Sequence, residues 1–112
     1  MKAVYIEEHG GPEALIYGDL PEPKIEPFEV KLKVKACALN RLDLYTRAGA
    51  RGTRRKSTDP LILGCDVAGE IVDIGDAVTT AAVGDRVVVD PIVTCGQCSS
   101  CLSGKNALCS GR

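Results

Sequence analysis

Apolar and charged residues alternate most regularly between residues 29 and 36. Val30, Leu32 and Val34 take turns there with lysines at positions 31, 33 and 35. A period of two residues predicts a β-strand with one face buried and the other in water. Shorter apolar stretches predict four further strands, at residues 1–6, 14–17, 67–74 and 86–89.

The segments between these strands indicate turns and connectors. The stretch that contains Pro21, Pro23 and Pro27 is expected to be extended, because proline fixes φ and removes a backbone donor. Glycine–aspartate pairs are typical of turns. They occur at residues 18–19, 75–76 and 84–85.

One short helix is predicted over residues 40–48. Asn40 can cap its N-terminus, Asp43 lies in its first turn, and Gly49 provides a stop. Leu42 and Tyr45 are three residues apart and therefore share a face. Strands about every ten residues, with one short helix, predict a mainly β fold built as a small barrel.

Composition narrows the class of protein. The 112 residues fit one domain, and with one Phe, three Tyr and no Trp the core must consist of Val, Ile, Leu and Ala. A net charge of −1 lacks the basic surface of a nucleic-acid-binding protein. Glu7 and Glu8 interrupt any export signal, and no apolar run reaches the length of a membrane span. We therefore expect a cytoplasmic protein that binds neither nucleic acid nor membranes.

The C-terminal part of the chain carries the most specific chemical signal. Four cysteines follow the spacing C-x2-C-x2-C-x7-C, namely Cys95, Cys98, Cys101 and Cys109. The glycines and serines between them cannot build a core, so an ion is needed to hold this segment in one conformation. Four thiolates complete a tetrahedral zinc site and leave no position open for water or substrate. We predict a structural zinc ion in a lobe that spans residues 95–109.

Two other uses of the four cysteines stay open. A ferredoxin-type iron–sulfur cluster has a last gap of three residues followed by proline, whereas here the gap is seven residues and Ser110 follows. Disulfide bonds are typical of exported proteins, and no export signal is predicted. Zinc is the preferred interpretation.

Three segments that precede the cysteine lobe resemble one family by their sequence and their order. They are residues 40–49 (NRLDLYTRAG), 64–69 (GCDVAG) and 83–87 (VGDRV). Together with the lobe they resemble the N-terminal GroES-like catalytic domain of the medium-chain dehydrogenase/reductase superfamily. The resemblance implies a mainly β fold, a GroES-like, partly open β-barrel with a short helix and a C-terminal zinc-binding lobe. It covers essentially all of residues 1–112, as one domain.

The same resemblance implies an NAD(P)-dependent oxidoreductase. In that superfamily a Rossmann domain that binds NAD(P)H follows the GroES-like domain, and the active site lies between the two. A cofactor domain is therefore expected downstream of residue 112, and the domain by itself is expected to be inactive. The substrate would be a small carbonyl compound, enone, quinone or alcohol. Full-length members are usually dimers or tetramers, so a homo-oligomer is expected.

Zinc alcohol dehydrogenases of this superfamily carry a second, catalytic zinc ion. Their pattern has Cys where this chain has Asn40, and Gly-His-Glu where it has Gly64, Cys65 and Asp66. The third ligand normally lies beyond residue 112, and Leu42 occupies the position of their hydroxyl relay. These departures argue against a zinc-bound alcoholate. Should a second zinc ion bind, Cys65 and Asp66 would be its ligands from this domain.

The zinc-independent quinone oxidoreductase branch matches residues 40–49 better, through its pattern N-x-x-D-x-Y-x-R-x-G. Its members reduce quinones or activated enones with NADPH, and a hydrogen-bond donor near the developing enolate oxygen suffices. Asn40 and Tyr45 are the candidate donors. Asp43 is expected to support the site without touching the substrate itself. Arg41 matches a position near the coenzyme pyrophosphate, although an exposed helix arginine would look the same. A quinone or enone reductase is thus the leading function.

The remaining residues have simpler interpretations. Cys65 alone is expected to be a small buried apolar residue, and Cys37 is expected to be structural. His9, the only histidine, lies in a Gly-Pro turn and is expected to be solvated. The basic loop, residues 51–59, is expected to be solvated surface that could attract an anionic substrate or the cofactor's phosphates. A non-catalytic binding module stabilised by zinc, used as an adaptor or for assembly, is the rival from another class.

Overall fold

The computed structural model describes residues 1–111, and its strands form two three-stranded antiparallel sheets. The first sheet has the order β2-β1-β4 and the second the order β3-β5-β6. The strands are β1 (Lys2–Ile6), β2 (Ile16–Asp19), β3 (Val30–Ala38), β4 (Leu61–Ile62), β5 (Asp66–Ile74) and β6 (Arg86–Val88). The mainly β fold that the sequence predicted is confirmed.

The second sheet positions the cleft described below. Its longest pairing joins β3 to β5, and the register shifts between Val34 and Ala36, so that the strand bends there. Gly69 of β5 makes this close approach possible, because a Cβ atom at that position would lie 2.5 Å from the carbonyl oxygen of Lys33. The bend delivers the end of β3 to the start of the helix that follows.

Two α-helices interrupt the strands. Helix α1 (Arg41–Ala48) was predicted, with Asn40 before its first residue and Gly49 closing it in the left-handed conformation at φ 70°. Helix α2 (Ser99–Leu102) is a single turn within the cysteine lobe and was not predicted. A helix of four residues lacks the apolar periodicity by which a longer one is recognised.

Several predicted strand boundaries were wrong by a few residues. β2 begins at Ile16 rather than at residue 14, because Pro12–Ala14 form a 3₁₀ turn. Gly18 and Asp19, predicted to close that strand, pair with β1. β4 was missed because its two residues are too few to show a period.

The fully buried core is small, and the apolar face of β3 is only partly covered. Ile6 and Ile71 are the large side chains that are completely buried among the described residues, whereas Val34 is 58% exposed. The prediction that Val34 lies on a buried face is therefore wrong for this chain. An open groove of about 550 Å³ runs along the apolar residues of the second sheet.

The total accessible surface also indicates that part of the chain's surface is left uncovered. The chain exposes 8413 Å², whereas a folded monomer of 11.8 kDa exposes about 5,900 Å².

Within the described residues, no helix is both long and apolar enough to cross a bilayer.

Candidate active site and metal centre

An open cleft of about 860 Å³ lies where β3 ends, α1 begins and β5 begins. It brings together three of the residues predicted as catalytic and the predicted cofactor-binding arginine. Its lining consists of Asn40, Arg41, Leu42, Cys65, Asp66, Pro91, Ile92 and Val93. Four of these side chains are apolar, so the cleft combines an apolar wall with a few polar groups, as ligand sites commonly do.

Asp43 fixes the backbone of Asn40 at the edge of the cleft. The Asp43 Oδ2 atom accepts a hydrogen bond of 2.8 Å from the backbone N–H of Asn40. In return, the backbone N–H of Asp43 donates to the Asn40 carbonyl oxygen at 3.1 Å. Asp43 does not line the cleft, and it acts on the site through Asn40.

Asn40 and Asp66 both line the cleft and are hydrogen-bonded to each other. The Nδ2 atom of Asn40 donates a short hydrogen bond to the Oδ2 atom of Asp66, 26 residues further along the chain. This bond orients the amide, because only its nitrogen end can donate to a carboxylate. An amide carries two N–H groups, and the bond to Asp66 occupies one of them.

Cys65 is half-buried and lines the cleft, so it is not the buried core residue that its apolar neighbours suggested. Gly64 before it adopts φ 105°, which glycine accepts readily and which turns the chain into β5. A catalytic zinc site needs three protein ligands. Within residues 1–111, the only group of three or more side chains arranged to hold a metal is the set of lobe cysteines. The cleft residues of this chain therefore do not form a metal site by themselves.

Tyr45 and Arg41 have different positions. Arg41 lines the cleft at the first turn of α1, whereas Tyr45 lies one turn further and is not among the lining residues. The guanidinium of Arg51 stacks over the Tyr45 ring at 4.6 Å from its centre, a cation–π contact. Tyr45 thus packs beneath the basic loop.

His9 is not a solvated turn residue, and that prediction was wrong. Its ring is part-buried, and both ring nitrogens are hydrogen-bonded. Nδ1 lies 2.8 Å from the carbonyl oxygen of Thr46, and Nε2 lies 3.0 Å from the backbone nitrogen of Arg55. A carbonyl accepts and a backbone N–H donates, so this network assigns the neutral tautomer with its proton on Nδ1. Its partners lie 37 and 46 residues away, and no local pattern in the sequence could reveal them.

The four predicted metal ligands converge in the C-terminal lobe. The sulfur atoms of Cys95, Cys98, Cys101 and Cys109 all lie within 4.8 Å of one another. The distance between Sγ atoms is 4.0 Å for Cys95 and Cys101, and 3.5 Å for Cys98 and Cys101. A tetrahedral ZnS₄ centre with Zn–S bonds of about 2.3 Å separates its sulfurs by about 3.8 Å. The donor set therefore fits a zinc ion.

Backbone amides around the lobe favour thiolates. N–H groups of Cys95, Cys98 and Cys101 point at the Sγ atoms of Cys109, Cys95 and Cys98 respectively, at 3.3, 3.4 and 3.5 Å. Hydrogen bonds from the backbone of Cys101 and then of Ser110 lower the pKa of Cys98 to about 5. Burial, followed by the neighbouring Cys98 thiol, raises the pKa of Cys101 to about 11. Metal ligation requires thiolates, and the amides directed at these sulfur atoms favour that form.

Two three-stranded sheets, a helix with an amide–carboxylate pair at its start and a four-cysteine lobe are the features that the sequence resemblance implied for a GroES-like domain. The family described as "Alcohol dehydrogenase GroES-like domain" matches residues 26–112. The chain belongs to this family, as the resemblance implied.

Comparison with individual proteins agrees with this assignment. The chain is 37% identical over 109 residues to an L-threonine 3-dehydrogenase of Streptomyces coelicolor, covering 97% of the chain and 31% of that protein. The crystal structure of an NAD-dependent alcohol dehydrogenase superposes with a TM-score of 0.87 at 41% identity, over 98% of this chain and 32% of the other. A quinone oxidoreductase from Coxiella burnetii gives a TM-score of 0.74 at 33% identity, over 79% and 28%. The chain thus spans about a third of the length of these relatives.

Proposed function

We propose that this chain is the substrate-side domain of an NAD(P)H-dependent oxidoreductase and that a cofactor-binding domain completes it. Two observations support a further domain. The relatives are about three times as long as this chain. The chain also leaves apolar faces open and exposes far more surface than a monomer of its mass. The rest of the polypeptide would cover those faces and complete the cleft.

The four lobe cysteines would hold one zinc ion with a structural role. Bound there, the ion supplies no reaction chemistry, because four thiolates leave it no open position. It would cross-link residues 95–109, in which short helical turns are the only regular structure. The support for zinc is the convergence of the four sulfur atoms and the amides directed at them.

We propose reduction of a quinone or an activated enone as the reaction. Hydride from the nicotinamide would go to a carbon conjugated to a carbonyl, and negative charge would grow on the carbonyl oxygen. The observation that carries this proposal is the Asn40–Asp66 pair. With one amide N–H held by Asp66, the second N–H of Asn40 would donate to the developing enolate oxygen. The apolar wall of Ile92 and Val93 suits a flat, apolar substrate.

Three other predicted residues would support the reaction in different ways. Asp43 holds the backbone of Asn40, and Arg41, which lines the cleft, would face the cofactor's phosphates. Tyr45 would reach the substrate as a second donor only after its contact with Arg51 rearranges. Asn40 is therefore the stronger of the two candidate donors.

An alcohol dehydrogenase is the second candidate, and one observation favours it. The alcohol dehydrogenase structure aligns with 98% of this chain, whereas the quinone oxidoreductase aligns with 79%. In this alternative, Cys65 and Asp66 would contribute to a catalytic zinc site together with a ligand outside the chain. Asp66 would then have to exchange the Asn40 amide for the metal.

The zinc content and activity of the full-length protein would separate these candidates. The proposal expects one zinc ion per chain, NAD(P)H consumption with quinones or enones, and no oxidation of simple alcohols. Two zinc ions per chain with alcohol oxidation would establish the second candidate. Binding of zinc without any nicotinamide-dependent activity would favour the non-catalytic module.

Within the leading candidate, Asn40→Leu and Asn40→Asp test the proposed donor. Both remove the amide N–H groups, and losing one donor to a developing oxyanion costs about 10²-fold in kcat. Lys24→Ala, at an exposed position of the proline-rich connector, is the control. Unchanged kcat in both Asn40 variants would refute the role of the amide.

A further inference from the structure

The His9 side chain joins three segments that are distant in sequence. It belongs to the turn after β1, and it contacts the last turn of α1 through Thr46 and the basic loop through Arg55. Parallel bonds reinforce the first contact, because the N–H of Gly10 donates to the Arg47 carbonyl oxygen at 2.9 Å. Within residues 1–111, no parallel backbone bond reinforces the second contact, in which Nε2 of His9 accepts from the Arg55 backbone N–H.

The first half of the basic loop is held by α1 itself. The Thr53 hydroxyl donates to the Tyr45 carbonyl oxygen at 2.8 Å, and Arg51 stacks on the Tyr45 ring. Past Thr53, the bond from Arg55 to His9 ties the loop to the N-terminal segment. Among the hydrogen bonds of residues 1–111, the bond to His9 is thus the one that ties the half of the loop with Arg54, Arg55 and Lys56 to a segment outside the loop.

That acceptor exists only while the imidazole is neutral. Protonation places a second N–H on Nε2, directed at the backbone N–H of Arg55, and two donors cannot satisfy each other. Histidine is the side chain that ordinarily changes charge between pH 5 and 8. The bond to the Thr46 carbonyl survives protonation, because Nδ1 carries its proton in both forms.

Each of the three segments that meet at His9 carries a charged side chain near the point of contact. From α1, Arg47 donates through Nε to the Gly10 carbonyl oxygen at 3.3 Å. From the basic loop, the Arg55 guanidinium is directed to the carbonyl of Asp59. From the N-terminal turn, the Glu13 carboxylate accepts from the Gly11 N–H at 2.9 Å and lies in the field of Arg47. Each of these charged groups is thus engaged with the backbone of a turn or of the basic loop, and none of them is a hydrogen-bond partner of the ring.

We propose that His9 is a pH-sensitive latch, whose neutral ring holds the basic loop against α1 and whose protonated ring releases it. The loop connects α1 to β4 and then to Cys65 and Asp66, so that its release loosens the connection between the two walls of the cleft. It also frees three basic side chains, those of Arg54, Arg55 and Lys56, to move. This inference goes beyond the proposed reaction and does not depend on it.

Amide hydrogen exchange of the full-length protein tests the latch directly. The protection factor of the Arg55 amide, corrected for the intrinsic pH dependence of exchange, is measured from pH 8 to pH 5. We expect it to fall about tenfold as the pH falls, the effect of one lost hydrogen bond. The amide of Ile71, which donates to the Asp85 carbonyl at 2.9 Å, is the internal reference and should keep its protection.

Two variants separate protonation from general loosening. His9→Gln retains an acceptor without a titratable group, and its Arg55 amide should show the same protection at both pH values. His9→Ala lacks the acceptor, and its Arg55 amide should be unprotected throughout. A wild-type protection factor that is constant between pH 8 and pH 5 would overturn the latch, whether or not the variants fold. So would an equal loss of protection in His9→Gln.

Discussion

The side-chain amide of Asn40 donates to the carboxylate of Asp66, and this bond joins the start of α1 to the start of β5 in the cleft. A second contact fixes the backbone of each partner. Asp43 binds the backbone of Asn40, and Asp66 is fixed by its pairing with Ala38 in the sheet. The amide orientation is therefore set before a substrate arrives, which is what a preorganised donor requires.

Removal of the Asp66 carboxylate should make the Asn40 amide a poorer donor without removing the amide. In Asp66→Ala, the Asn40 amide loses the acceptor that orients it, and kcat for a quinone or enone should fall by up to about 10²-fold, the effect of misplacing a catalytic group. Asp66→Asn should be milder, because its amide oxygen still accepts. Steady-state kinetics on the full-length protein would measure both, and equal kcat in Asp66→Ala and the parent protein would contradict this role.

Asp43 should contribute to stability as well as to position. Asp43→Ala removes the acceptor for the Asn40 N–H and a carboxylate in the first turn of α1. Together these should lower the free energy of unfolding by about 1 kcal/mol. Thermal or denaturant unfolding measures it, with Asp76→Ala in an exposed turn as the control. A loss no larger than that of the control would mean that the bond to Asn40 contributes nothing to stability.

The parts of the structure that could be predicted have local causes. Helix α1 was predicted because its cap, first-turn carboxylate and glycine stop are adjacent in sequence. The cysteine cluster was predicted because three of its ligands lie within seven residues. Period-two alternation placed β3, although two further residues, Cys37 and Ala38, extend it.

The parts that were missed depend on distant contacts. His9 has no local pattern that separates it from a solvated turn residue, and its two partners come from α1 and the basic loop. Cys65 was expected to be buried because its neighbours are apolar, but the φ of 105° at Gly64 turns the chain so that Cys65 lines the cleft. The exposed face of Val34 could not be foreseen, because alternation identifies a face that should be covered and not the segment that covers it.

Gly49 should be intolerant of a side chain for two reasons. It adopts φ 70°, and a Cβ atom there would lie 2.8 Å from Cγ of His9. Gly52 is a matched control, since it has φ 80° and nothing within 4 Å of its Cβ position. Each change to alanine should cost about 1–2 kcal/mol for the left-handed backbone, and Gly49→Ala should cost about 1–3 kcal/mol more by displacing the ring. Equal unfolding free energies for the two variants would show that the ring moves aside without cost.

The last prediction concerns the lobe, whose metal should support structure and not reaction. Cys109→Ser removes one ligand from the four-sulfur set, and Cys37→Ser, at an exposed strand position, is its control. Cys109→Ser should lose zinc and become more susceptible to proteolysis within residues 95–109, because few other contacts order that segment. A chelator should have the same effect on the parent protein.

Neither treatment should abolish binding of the nicotinamide cofactor, because a zinc ion held by four thiolates has no open position and the four cysteines are not among the residues that line the cleft. Cofactor binding is measured by fluorescence titration, and zinc by elemental analysis of the same samples. Loss of hydride transfer on chelation, with the lobe still resistant to protease and the fold intact, would place a second and catalytic metal in the cleft. In that case Cys65 and Asp66 would be its ligands from this chain, and the quinone-reductase proposal would give way to the alcohol dehydrogenase.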